Sequence, residues 1–126
     1  MKTVVILEID KEVSTAWASY LSQEGFAVFT AFDTIEAAEI ITMIKVDAVV
    51  ISSDDPGAFL LLGKAMKPKN NDVSIVTVSK LDRYTIAILL ENERFASLAN
   101  RFTYRALAGA VTGSRISTEV TENALV

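Results

Sequence analysis

Apolar residues along this chain fall into two rhythms that take turns. Uninterrupted runs of about five, rich in β-branched residues, alternate with longer segments in which apolar side chains recur every three or four positions. Thr3 to Leu7 (TVVIL) is too short for a helix and holds no polar break, as suits a strand buried on both faces. From Asp10, Val13, Trp17, Tyr20 and Leu21 recur at helical spacing, and Gly25 follows as a left-handed terminator. Phe26 to Thr30 (FAVFT) reads as a second strand. Asp33, with Glu36 three residues on, makes a capping-box start for a helix carrying Ile35, Ala38, Ile41 and Ile44. Asp47 to Ile51 (DAVVI) is the third strand. The polar loop Ser52 to Gly57 precedes a short apolar helix from about Ala58 to Met66, and Lys67 to Asp72 is a second loop. Val73 to Val78 (VSIVTV) gives strand four, and Asp82 to Glu93 a helix. Phe95 to Ala99 (FASLA) is a weaker strand, and Thr103 to Thr112 a last helix.

Five strand-helix units with buried strands predict a doubly wound α/β three-layer sandwich on a parallel five-stranded sheet. Residues 1–112 form that domain, and residues 113–126, which lack periodicity, read as a tail or the start of a linker. Ligands of such sheets sit beyond the carboxyl ends of the strands, near the point where strand order reverses. The positions to inspect are therefore Glu8, Ile9 and Asp10; Ala31 and Phe32; Ser52 and Ser53; Ser79 and Lys80; Asn100 and Arg101.

Composition narrows the chemistry. The 126 residues are 51% apolar and include neither cysteine nor histidine. Disulfides, thiolate nucleophiles, Cys/His zinc sites, serine–histidine catalysis and histidine phosphotransfer from this chain are excluded. Twelve basic residues against sixteen acidic ones give a formal net charge of -4, with no cluster of four Lys or Arg, so nucleic acid is not expected as a partner. Lys64, Lys67 and Lys69 around Pro68 read as a solvated face. The segment MKTVVILEIDKEV is too short in its apolar part for a secretory leader or a membrane span, which points to a soluble, cytoplasmic protein without membrane contact.

The element order, together with VVILEIDKEV, GFAVFTAFD and DAVVISSDDPG, resembles the receiver domain of bacterial two-component response regulators, over roughly residues 2–112. The resemblance implies the flavodoxin-like receiver topology. It also implies a site made of an acidic pair after the first strand, a phosphoryl-accepting aspartate at the end of the third, a hydroxyl residue after the fourth and a Lys-Pro after the fifth. In that family the carboxylates hold a magnesium ion that neutralises charge on the transferring group. Carried across, the acidic pair falls on Glu8 and Ile9, so one carboxylate is replaced by an apolar side chain. The acceptor falls on Ser52, fixed by Asp47 five residues before it and by Pro56-Gly57 beginning four residues after it. Ser79 keeps the hydroxyl. Asn100 and Arg101 stand where Lys-Pro is expected, and the aromatic that reorients on activation falls on Ser97. A serine cannot form an acyl phosphate, and no histidine exists to activate it.

What the resemblance implies is therefore a degenerate receiver: no enzyme, no cofactor, no magnesium, and a function in binding a protein partner in bacterial signalling or, as a homodimer, itself. One alternative is a working acceptor in a shifted loop, with Asp54 or Asp55 taking the phosphoryl group and Glu8, Asp10 and Asp54 holding the metal. Two residues of shift would carry the acceptor off the strand end, and Asp54-Asp55-Pro56-Gly57 reads more simply as turn chemistry. Asp10 likewise reads as a helix cap. The other alternative, a small-ligand binder of flavodoxin-like form, lacks a glycine in the loop from Glu8 to Lys11. Candidate partner surfaces follow from helical wheels. In the fourth helix Ile86, Leu89 and Leu90 form an inward stripe, while Tyr84 and Ile88 point nearly opposite. On the last helix Tyr104, Leu107, Ala108 and Val111 share one face, to be buried on the sheet or in a dimer. Trp17 is expected in the core.

Overall fold

The computed structural model describes residues 1–99 and 101–113. In chain order the elements are β1 (Thr3–Leu7), α1 (Lys11–Gln23), β2 (Ala27–Ala31), α2 (Thr34–Met43) and β3 (Ala48–Ser52), followed by α3 (Pro56–Met66), β4 (Ser74–Val78), α4 (Arg83–Leu90), β5 (Ala96–Leu98) and α5 (Tyr104–Val111). All strand pairings are parallel, and the sheet order is β2-β1-β3-β4-β5. This is the doubly wound arrangement expected from the sequence, with strand order reversing between β1 and β3.

Period-two alternation sorts the sheet residues onto two cores. Val5, Leu7, Val49 and Ile51 face α2, α3 and α4, where Ile41, Phe59, Leu62 and Ile86 are buried. Val4, Ile6, Ala48 and Val50 face α1 and α5, meeting Trp17, Leu21 and Leu107. Both faces of the central strands are thus covered, which is why those strands read as unbroken apolar runs.

Helix starts are written locally. Asp10 accepts from the Glu12 and Val13 amides, Asp33 from the Glu36 amide, and Thr103 from the Ala106 amide. At α2 the capping box closes, because Glu36 Oε1 accepts from the Phe32 amide at 2.8 Å. Gly25 takes φ +95° just after α1, a conformation that a side chain would strain.

Several expectations shift at their edges. The fourth helix stops at Leu90, short of Glu93, because Glu91 adopts the left-handed conformation at its C-cap. The loop from Lys67 to Asp72 is wound into a 3₁₀ turn. Proline at its first turn lets α3 begin at Pro56, two residues earlier than expected. Leu89 is only half-buried, yet it packs with the buried Ile86 and Leu90 against the core, as the inward stripe of α4. At Gly63 α3 lies close against the end of α4: a Cβ there would lie 2.8 Å from the Leu90 carbonyl oxygen.

Candidate functional site

The switch between β1 and β3 brings the residues following those strands together. Leu7 pairs in register with Ile51, so Glu8 and Ser52 emerge side by side although 44 positions separate them. The Ser52 hydroxyl donates to Glu8 Oε1 at 2.7 Å, and the Asp10 amide donates to Glu8 Oε2 at 2.9 Å. Both carboxylate oxygens of Glu8 are therefore engaged within the protein. Farther down the same strands, the Thr3 amide donates to Asp47 Oδ2 at 2.7 Å and ties the start of β1 to the residue before β3.

Ile9 stands next to Glu8, where the resemblance expects a second carboxylate, and is 78% exposed. Asp10 turns its carboxylate to the amides of α1. Asp55 does the same for α3, accepting from the Gly57 amide at 2.9 Å. Asp54 departs from the expectation of simple turn chemistry: its Oδ1 accepts from the Lys80 amide at 2.7 Å and from the Ser79 hydroxyl at 3.3 Å. The loop after β3 is thereby fastened to the loop after β4. Nothing in the local sequence announces this bond, since its partners lie 25 and 26 residues away.

These commitments decide how well the residues fit magnesium. Hard cations need several oxygens converging on one point. Glu8 has both oxygens, and Asp10 and Asp54 one oxygen each, on protein donors, and no group of three or more carboxylates among the described residues is placed to hold a metal ion.

A cleft of about 640 Å³ opens at this edge of the sheet, its lining including Glu8, Ile9, Trp17, Phe32, Ser52, Ser53, Asp54, Asp55 and Phe102. Phe102 lies against Trp17 with ring centroids 5.3 Å apart. Sequence reasoning placed neither aromatic at the site; Trp17 is buried, as expected, and borders the cleft from the core. Asn100 lies outside the described residues, as does the segment 114–126.

At the far side, Ser97 shares a contact of 3.1 Å with the Thr77 hydroxyl. Arg83 was missed altogether. Its guanidinium donates to the Phe95 carbonyl at 2.8 Å, the Glu93 carbonyl at 3.3 Å and the Ser97 hydroxyl at 3.2 Å. It also covers the Phe95 ring at 4.2 Å. One side chain thus joins the first turn of α4 to β5.

Of the proposed partner surface, Tyr84 is 77% and Ile88 59% exposed, flanking a shallow groove that runs past Ala87 to Glu91. Tyr104 does not join the buried face of α5 formed by Leu107, Ala110 and Val111. It is exposed at the helix start and packs on Tyr20, ring centroids 5.1 Å apart.

No protein-family profile matches the chain, and no curated protein matches it. Solved structures do. The receiver domain of a Francisella response regulator superposes with a TM-score of 0.73 at 21% identity, covering 96% of this chain and 99% of its own. A Burkholderia pseudomallei response regulator, solved with a phosphorylated aspartic acid, calcium and citrate, gives 0.76 at 15% identity over 97% of this chain and 72% of its own. TrrA of Thermotoga maritima, solved with magnesium and beryllofluoride, gives 0.71 at 18% over 89% and 97%. This chain has the receiver fold. At these identities the receiver likeness speaks for architecture, and what the site does rests on its own residues.

Proposed function

We propose that this receiver-fold chain is a protein-interaction domain of bacterial signal transduction whose output does not depend on phosphorylation, and that it is neither an enzyme nor a magnesium protein. The observation that carries this reading is the closed pair at the strand ends. Ser52 occupies the place of the acceptor and spends its hydroxyl on Glu8, whose second oxygen is held by the Asp10 amide. A carboxylate whose two oxygens both accept from protein donors, beside an isoleucine, is a poor ligand for the cation that an incoming phosphoryl group would bring. Function then falls to the faces of the domain, with Tyr84 and Ile88 on α4 as the leading surface for a cytoplasmic protein partner or a second copy, and Tyr104 as a candidate beside Tyr20.

The test is an amide NMR titration with beryllofluoride, then acetyl phosphate, each with millimolar magnesium. The spectrum and the melting temperature stay unchanged. Saturable shifts at residues 8–10 and 52–55 overturn the proposal in favour of an acceptor at Asp54 or Asp55. For the surface, Tyr84→Ala and Ile88→Ala weaken association with the partner while changing stability by no more than ~0.5 kcal/mol.

A further inference from the structure

The pairing of β3 with β4 reaches Ser52 and Val78, and the Ser53 amide adds one further bond to the Val78 carbonyl at 3.1 Å. Beyond that point a side chain takes over from the backbone ladder. Asp54 Oδ1 accepts from the Lys80 amide at 2.7 Å and from the Ser79 hydroxyl at 3.3 Å. The Ser79 oxygen accepts in turn from the Leu81 amide at 3.1 Å, and Leu81 packs on the core that α2, α3 and α4 cover. One carboxylate thus organises the stretch 79–81, and a charged acceptor makes its bonds the stronger kind.

That stretch leads directly into α4. Asp82 follows it, and the first turn of the helix closes on Asp82: the carbonyl accepts from the Ile86 amide at 3.1 Å, and the carboxylate from the Thr85 amide and hydroxyl. The far end of α4 is fixed by packing, with the Leu90 backbone against α3 at Gly63. Arg83 and Tyr84, at the start, are exposed, and polar bonds hold that end. Asp54 holds it from the β3 side through residues 79–81, and Arg83 from the β5 side through the Phe95 carbonyl at 2.8 Å. Tyr84, 77% exposed, follows immediately after.

We infer that Asp54 is a positioning residue for the α4 surface: by holding residues 79–81 it sets where α4 begins, and so how Tyr84 is presented. The inference rests on α4 as the surface of function and adds a means of regulating it. A helix start held by few bonds opens locally at low cost. Whatever draws the Asp54 carboxylate away therefore loosens the start of α4, and a partner that grips Tyr84 tightens the Asp54 bond by the same coupling.

The test is amide hydrogen exchange, followed by NMR on the whole chain. Asp54→Ala removes the acceptor and speeds exchange at Lys80, Leu81, Thr85 and Ile86 by about fivefold, the effect of one lost hydrogen bond to a charged group. The Ala37 amide, which donates to Asp33 in the first turn of α2, keeps its rate. Asp54→Asn retains a side-chain oxygen for the Lys80 amide and restores most of the protection. Ser53→Ala alters the same loop, where the Ser53 hydroxyl accepts from the Asp55 amide, and changes the rates at Thr85 and Ile86 by no more than about twofold. Acceleration confined to Lys80 and Leu81 shows that the loop moves without the helix and overturns the inference. So does equal acceleration at Ala37, which marks a loss of overall stability, the same acceleration in Ser53→Ala, or equal rates in Asp54→Asn and Asp54→Ala. A beryllofluoride response at residues 8–10 and 52–55 would sink the proposed function alone, since these rates are read without it.

Discussion

Ser52 donates its hydroxyl hydrogen to Glu8 at 2.7 Å across the β1–β3 switch point, joining two side chains 44 residues apart. The receiver resemblance expects an acceptor and a metal ligand at these strand ends. Here the pair is neutral donor to charged acceptor, a hydrogen bond of the stronger kind, and it is complete without any third party.

Restoring the expected aspartate alone therefore harms the protein. Ser52→Asp sets a second carboxylate against Glu8, and like charges at contact distance cost ~1–2 kcal/mol. Melting at pH 7 falls by several degrees. The repulsion requires both carboxylates to be ionised. The deficit is thus full at neutral pH and shrinks as pH falls through the carboxylate range; melts at pH 7 and pH 4 check the sign. An unchanged melting temperature at pH 7 would mean that the two side chains separate freely.

Gly63 fixes how closely α3 and α4 pack. A Cβ at this position meets the Leu90 carbonyl oxygen at 2.8 Å and its Cα at 2.9 Å, both backbone atoms that cannot turn aside. Gly63→Ala is expected to destabilise by ~1–3 kcal/mol despite alanine's better helix propensity. Denaturant unfolding measures it. A gain in stability would show that the two helices have room to part.

Arg83 holds β5 to α4. Arg83→Ala removes donors to Phe95, Glu93 and Ser97 together with the cover on the Phe95 ring, for a loss of ~1 kcal/mol or slightly more. Hydrogen exchange at residues 96–98 speeds up. Arg83→Lys rescues little, because a single ammonium cannot reproduce the fork. Exchange rates in β5 that match the parent protein would count against this role.

Asp82 caps α4, and its carboxyl lies below the ordinary 3.8, chiefly because it accepts from the Thr85 amide and then from the Thr85 hydroxyl. A depressed folded-state pKa means that the cap's contribution is present above the unfolded value and is lost as pH falls through the folded one. Thr85→Ala removes the hydroxyl donor, so the Asp82 carboxyl carbon titrates at higher pH and the start of α4 loosens earlier on acidification. Carboxyl-detected NMR follows both. An unmoved titration would assign the shift to the backbone amide alone.

Much of the architecture was legible because it rests on local rules. The unbroken runs at Thr3–Leu7 and Ala48–Ser52 mark strands covered on both faces, and Asp10 and Asp33 cap helices through amides two or three residues away. Boundaries slipped where a single backbone conformation intervened, as at Glu91 with φ 55°. The sequence placed Glu8, Ile9 and Ser52 at the carboxyl ends of β1 and β3, and that is where they stand. The site was not legible at Asp54, whose adjacent aspartate, proline and glycine suggested a turn while its carboxylate crosses to Lys80 and Ser79. Arg83 looked like an ordinary first-turn residue, because the carbonyls it binds belong to a different element.

The sequence by itself determined the βα alternation, the two-faced burial of the strands, the lack of thiol and imidazole chemistry, and an apolar Ile9 beside Glu8. All of these depend on residue type and on spacings within about one turn or one strand. Only the tertiary structure decided that Glu8 accepts from Ser52 and the Asp10 amide, that Asp54 fastens two loops together, and that Gly63 lies against the end of α4. Hydrogen bonds and close packing between residues tens of positions apart depend on the register and crossing of whole elements, and periodicity along the chain carries no record of either.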